Sequence, residues 1–150
     1  MTVIKNIALT SLAIIIACAS SLAIAASDLV TINNTKLPST AVINHGACST
    51  ALPNGMGITP PDGKPHVIPG AIVKGVCGAH QKDCSADVYM SDHCNGNGEV
   101  PVAYATFNTL TGATTITMTD YGRAAKYDLR SDAPFHIIMD GGPAAAPVKK

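Results

Sequence analysis

Apolar and polar residues alternate with a period of two along much of the chain, the mark of strands with one buried and one wet face. Thr115, Thr117 and Thr119 alternate with Ile116 and Met118. Val100, Val102 and Tyr104 share a face of the run 99–107. Ala86, Val88 and Met90 oppose Asp87 and Tyr89, which leaves Tyr89 on the solvent side. Phe135, Ile137 and Met139 alternate with His136, Ile138 and Asp140. Weaker runs cover 29–33, 40–44, 68–76 and 124–129. The pattern predicts about eight short strands.

Turn signals separate these runs: Asn33-Asn34, Pro53-Asn54-Gly55, Pro60-Pro61-Asp62-Gly63, Asn95-Gly96-Asn97-Gly98, Leu110-Thr111-Gly112 and Asp120-Tyr121-Gly122. No charged amphipathic helical run follows residue 25. The expected fold is therefore all-β, a single antiparallel β-sandwich of about seven to nine strands. Residues 51–69 are rich in Pro and read as a long ordered loop, because Pro donates no N–H to a ladder. Residues 141–150 lack any apolar period and read as a flexible tail.

Residues 1–25 stand apart as an export signal. Lys5 supplies a positive start, residues 7–22 are apolar or small, and Ala23-Ile24-Ala25 offers a small-x-small cleavage site. Ile15-Ile16-Ala17-Cys18 supports an alternative, in which Cys18 is lipidated and tethers an outer-membrane lipoprotein. The expected organisation is a leader at 1–25, a β-sandwich domain at 26–140 and a tail at 141–150. No membrane span is expected in the mature form.

The whole chain has 150 residues, ten basic and ten acidic, so no basic surface for nucleic acid is expected. Loss of Lys5 alone brings the net charge to about −1. Four cysteines remain beyond the leader: Cys48, Cys77, Cys84 and Cys94. An even count behind an export signal points to two disulfides. Loop entropy does not separate the three pairings, each totalling roughly 6.5 to 7 kcal/mol. Reach does better. A strand from Cys84 to Met90 spans about 20 Å at about 3.3 Å per residue. Four further steps recover at most about 14 Å, whereas a bridge needs Cα atoms within about 7 Å. Cys84–Cys94 is thus barely feasible, and Cys77–Cys84 with Cys48–Cys94 is favoured. Gaps of 28, 6 and 9 residues between these cysteines fit no zinc template, so no metal or other cofactor is expected.

Candidate chemistry is sparse. His45, His66, His80, His93 and His136 make no metal-ligand spacing. Asp92-His93-Cys94 places a base beside a thiol, but neighbours on an extended chain point apart and a disulfide would remove the nucleophile. No G-x-S-x-G frames a serine. Asp92, Asn95, Asn97 and Glu99 offer oxygens at near-alternate positions around Gly96 and Gly98. With Tyr121 in a nearby turn signal, they form a candidate ligand loop.

Residues 42–49, VINHGACS, and 84–94, CSADVYMSDHC, resemble a group of small exported cysteine-containing proteins from gammaproteobacteria that live inside host cells. The resemblance covers about residues 28–120. It implies an exported β domain and brings no activity or site. The expected function is a secreted or periplasmic, non-enzymatic module that binds an extracytoplasmic protein or glycan. The alternatives are a small hydrolase using Asp and His on a loop rim, the Cys18-tethered envelope protein, and an edge-strand partner in an assembly.

Overall fold

The computed structural model describes residues 27–94 and 99–143. The leader with Cys18, most of the tail, and Asn95 and Asn97 of the candidate loop lie outside the described residues. The order is β1 Leu29–Asn33, β2 Thr40–Ile43, short 3-10 turns at Ser49–Ala51 and Pro53–Gly55, β3 Pro65–Ile68, α1 Gly70–Cys77 and β4 Cys84–Tyr89. Then follow β5 Ala103–Phe107, β6 Thr114–Met118, α2 Asp120–Ala124, β7 Tyr127–Ala133 and β8 His136–Gly141.

Two four-stranded sheets result, ordered β3-β1-β8-β7 and β2-β4-β5-β6. The expectation of an all-β, wholly antiparallel sandwich is corrected on two counts. The fold is mixed α/β, with two helices beside the sheets. The first and last strands pair in parallel, Val30 opposite His136 and Asn33 opposite Met139. Period alone could not show either feature, since a parallel pairing joins residues a hundred positions apart.

The first helix, Gly70–Cys77, covers most of the run 68–76, where the apolar pattern predicts a strand. An apolar run this short fits either period. Pro69 at the N-cap position and Gly78 at the C-cap bound the helix. Gly70, Val73 and Cys77 form its buried face, at helical spacing. The Gly70 N–H, which has no partner within the helix, donates to Asp28 Oδ1 at 2.9 Å. That contact is forty-two positions distant in sequence. Residues 65–68 of the expected loop pair with β1, with Pro65 and Ile68 at the ends of the ladder. They sit on the sheet edge, where Pro is tolerated.

The second helix replaces an expected turn and part of the weak run 124–129. Thr119 caps it, its Oγ1 accepting from Gly122 N–H at 2.9 Å. Gly122 packs so closely that a Cβ there would lie 2.0 Å from the Val102 carbonyl oxygen. The run 99–107 shortens to a strand beginning at Ala103. Pro101 between Val100 and Val102 withholds the N–H that an earlier start would need.

Two apolar clusters join the sheets. One holds Met90, Val102, Ala103, Tyr127, Leu129 and Met139. The other holds Val73, Cys77, Cys84 and Phe107, with Phe135 edge-on to Phe107 at 5.7 Å. Disulfides join Cys77 to Cys84 and Cys48 to Cys94, with Cα separations of 5.3 and 5.9 Å. The first links the end of α1 to the start of β4. The second ties the segment 91–94 to the turn that begins at Ser49.

Candidate functional site

Around the end of β4, the chain builds a surface pocket lined by Leu37, Tyr89, Met90, Glu99, Val100, Val102 and Tyr121. Its volume is about 160 Å³. Each wall follows from local structure. Leu37 lies in the β1–β2 connection, Val100 lies just before Pro101, and α2 presents Tyr121. Leu37, Val100 and Tyr121 are 43%, 51% and 51% exposed, although all three are large apolar or aromatic side chains. Exposed apolar side chains gathered at one pocket are a feature of binding surfaces.

Tyr89 was expected on the solvent side of its strand. It is buried instead, and burial raises its hydroxyl pKa, with the Asp87 charge adding to the effect. The reason is tertiary: β4 is an inner strand of its sheet, and Leu37, Val100 and Tyr121 line one pocket with Tyr89.

Among the described residues, two buried side-chain oxygens have no hydrogen-bond partner, Thr40 Oγ1 and Glu99 Oε2. Thr40 is in register with Tyr89, and Glu99 lines the pocket with it. A buried acceptor without a donor costs about 1 to 3 kcal/mol, more when charged. Of the two, the Glu99 oxygen belongs to this pocket and can accept from an incoming group.

Of the candidate loop residues, Glu99 and Tyr121 meet in this pocket. Asp92 stands off its rim. His93 Nδ1 donates to Asp92 Oδ1 at 2.6 Å, and His93 Nε2 lies 3.6 Å from Glu99 Oε1. The hydrogen bond from His93 lowers the Asp92 pKa. The same bond raises that of His93, and the Glu99 charge adds to it. The two acids address opposite edges of the imidazole, so the three groups do not converge on one point. Among the described residues no group of three His, Cys, Asp or Glu side chains is placed to hold a metal ion. Leu37 was not singled out from the sequence, and Val100 was read as strand. A lone apolar residue in a connection carries no signal before the fold is known.

The remaining histidines are dispersed. His45 Nδ1 lies 3.5 Å from Asp87, His80 Nδ1 lies 3.5 Å from Asp83, and His136 Nδ1 bonds Asp132. His66 Nε2 bonds the Met56 carbonyl at 2.8 Å. Cys94 is held in its disulfide, which removes the thiol from the Asp92-His93-Cys94 run. Ser91 Oγ donates to the His93 backbone carbonyl, so its proton is not directed at the imidazole.

These features define a small, disulfide-tied, two-sheet α/β protein with a surface pocket at the end of β4. Among the described residues no helix is long and apolar enough to cross a membrane. Residues 2–139 match the family model described as "T2SS substrate NttC", and the chain belongs to that family. It is an exported, secreted or periplasmic protein, as the sequence resemblance implied, and the match extends that resemblance past residue 120. The crystal structure of the Legionella pneumophila type II secretion system substrate NttC is similar in fold, with a TM-score of 0.59 at 21% identity. The match covers 77% of this chain and 97% of that one. No curated protein matches the chain.

Proposed function

We propose that the protein is a non-enzymatic binding module, exported by the type II secretion route, that docks an extracytoplasmic protein or glycan at the Leu37–Glu99–Val100–Tyr121 pocket. The observation that supports this reading is the unpartnered Glu99 Oε2 beside three exposed apolar side chains. A partner would cover the apolar rim and donate a hydrogen bond or a positive charge to Glu99. Hydrogen bonds to charged groups contribute about 1.5 to 3 kcal/mol, and aromatic anchors such as Tyr121 often dominate an interface. In this reading Asp92 and the loop residues Asn95 and Asn97 supply polar contacts to the partner. In this reading residues 1–25 are the removable leader, 26–140 the working domain and 141–150 a tail.

The test is binding of the purified chain to a glycan array and to extracytoplasmic proteins of a host cell, compared with Tyr121→Ala and Glu99→Arg. The expected result is at least a tenfold loss in both variants, with unchanged Tm. Binding that survives both substitutions overturns the assignment. Hydrolysis of generic ester or glycoside substrates that is lost in His93→Ala would replace it with the hydrolase alternative. An intact mass carrying diacylglycerol on Cys18 would replace the leader assignment with the tethered form.

A further inference from the structure

A second space lies inside the protein, between the two sheets. It has a volume of about 140 Å³. Ile43, Val88 and Ile116 line it from one sheet, and Leu29, Ile68 and Ile137 from the other. All six remain only half-buried, although each packs against one of the two apolar clusters. The sheets therefore close at both clusters and leave apolar wall exposed between them. Val76 of α1 also lines the space and is 37% exposed, which puts it at the mouth.

The polar groups in the wall are largely occupied by one another. Thr31 Oγ1 and Thr59 Oγ1 share a hydrogen bond of 3.0 Å. Ser49 Oγ donates to the Gly57 carbonyl and accepts from the Ala41 N–H at 3.0 Å. Thr40 also lines the space and its Oγ1 has no partner, but strand alternation turns that side chain away from the face that carries Ala41 and Ile43. A water molecule in such a space needs two to four polar partners and finds few. A hydrocarbon group needs none. The volume is close to that of the roughly 150 Å³ apolar cavity that takes up benzene in another protein.

We infer that this inter-sheet space is a binding site for an uncharged hydrocarbon group of about six carbons, either a small free molecule or the end of an alkyl chain entering past Val76. The site is separate from the surface pocket and does not depend on it. Alkyl-chain affinity rises roughly fourfold per buried methylene, so chain length is a ruler for the cavity.

The test titrates the fully oxidised protein with n-alkanols from butanol to decanol, following the methyl resonances of Val88, Ile116 and Ile137. Expected are saturable shifts at these methyls and an affinity that climbs roughly fourfold per carbon, then flattens near six carbons. Ala86 lines the same wall and is half-buried. Ala86→Ile should weaken hexanol binding at least tenfold without lowering Tm. Should that variant fail to fold, Ile116→Ala serves in its place and should move the plateau to longer chains. Unsaturable shifts, or affinity indifferent to chain length, overturn the inference. So does unchanged hexanol binding in a folded Ala86→Ile variant, or an unmoved plateau in Ile116→Ala. A free alkanol and a tethered alkyl chain are told apart by decanoyl-phosphocholine, which binds only if the mouth admits a chain with its headgroup outside. Tyr121→Ala should leave all of this unchanged, so failure of the surface-pocket reading is distinguishable from failure here.

Discussion

The surface pocket and the inter-sheet space are of similar volume, about 160 and 140 Å³, but opposite in what they leave unsatisfied. At the surface, a carboxylate oxygen lacks a donor and three large apolar side chains face solvent. Between the sheets, the side-chain hydroxyls of Thr31, Ser49 and Thr59 are bonded within the wall, and apolar surface is left over. The first arrangement asks for a partner with a donor and an apolar foot. The second asks for hydrocarbon alone. Size does not distinguish the two sites; the bonding state of their polar atoms does.

The two disulfides serve the two regions separately, and breaking them one at a time is the strongest way to pull the regions apart. The Cys48–Cys94 bridge closes a separation of 46 residues and anchors the segment that carries Asp92 and His93. Its replacement by serines should cost about 4 kcal/mol in urea unfolding by the chain-entropy relation. It should also broaden the His93 resonances while leaving those of Ile137 sharp. The Cys77–Cys84 bridge closes only 7 residues and pins α1 against the inter-sheet space. Its loss should cost about 2.5 kcal/mol in the same assay and perturb Ile137 before His93. Equal costs for the two bridges would show that residual structure in the unfolded chain, not loop length, governs their effect.

A smaller effect should follow from Thr119→Ala. The cap on Gly122 N–H holds α2, and with it Tyr121 at the pocket. The expected loss is about 1 kcal/mol by thermal unfolding, with the environment of Tyr121 altered and the inter-sheet methyls unmoved.

The smallest effect is electrostatic. Asp92 is lowered by its bond from His93, so its contribution to stability is present above the ordinary carboxylate value and is lost as pH falls through its folded pKa. His93 is raised by the same bond, so its contribution is complete below the ordinary histidine value and is lost as pH rises through its folded pKa. The pair is strongest in the window between. An NMR titration should place His93 above the free-histidine value, and Asp92→Asn should bring it down. A titration unchanged by that substitution would mean that Asp92 does not hold the ring.

Part of this was legible before any coordinates. The strands at 29–33 and in the 114–118 region read directly from residue type. In β5 the period of two was legible but the face was not: Val100, Val102 and Tyr104 were expected together, whereas Ala103, Ala105 and Phe107 are buried and Val100 and Tyr104 are exposed. Glu99 and Tyr121 were picked out for their chemistry, and the fold brings both to one pocket. Leu37 and Val100 carried no such signal. Tyr89 was misjudged because alternation says which side a residue faces, and not whether that side is covered.

Residue type and order alone determined the even cysteine set and the two-faced strands and predict an export leader, because composition and alternation need no knowledge of distant contacts. The family match agrees that the protein is exported. Tertiary structure decided the rest. The helical state of 70–77 depends on bounds at Pro69 and Gly78 and on Asp28 reaching across forty-two positions. The parallel β1–β8 pair joins the two ends of the domain. The inter-sheet space exists because clusters at both ends hold the sheets apart between them, and no property of a single strand records how far away the opposite sheet will stand.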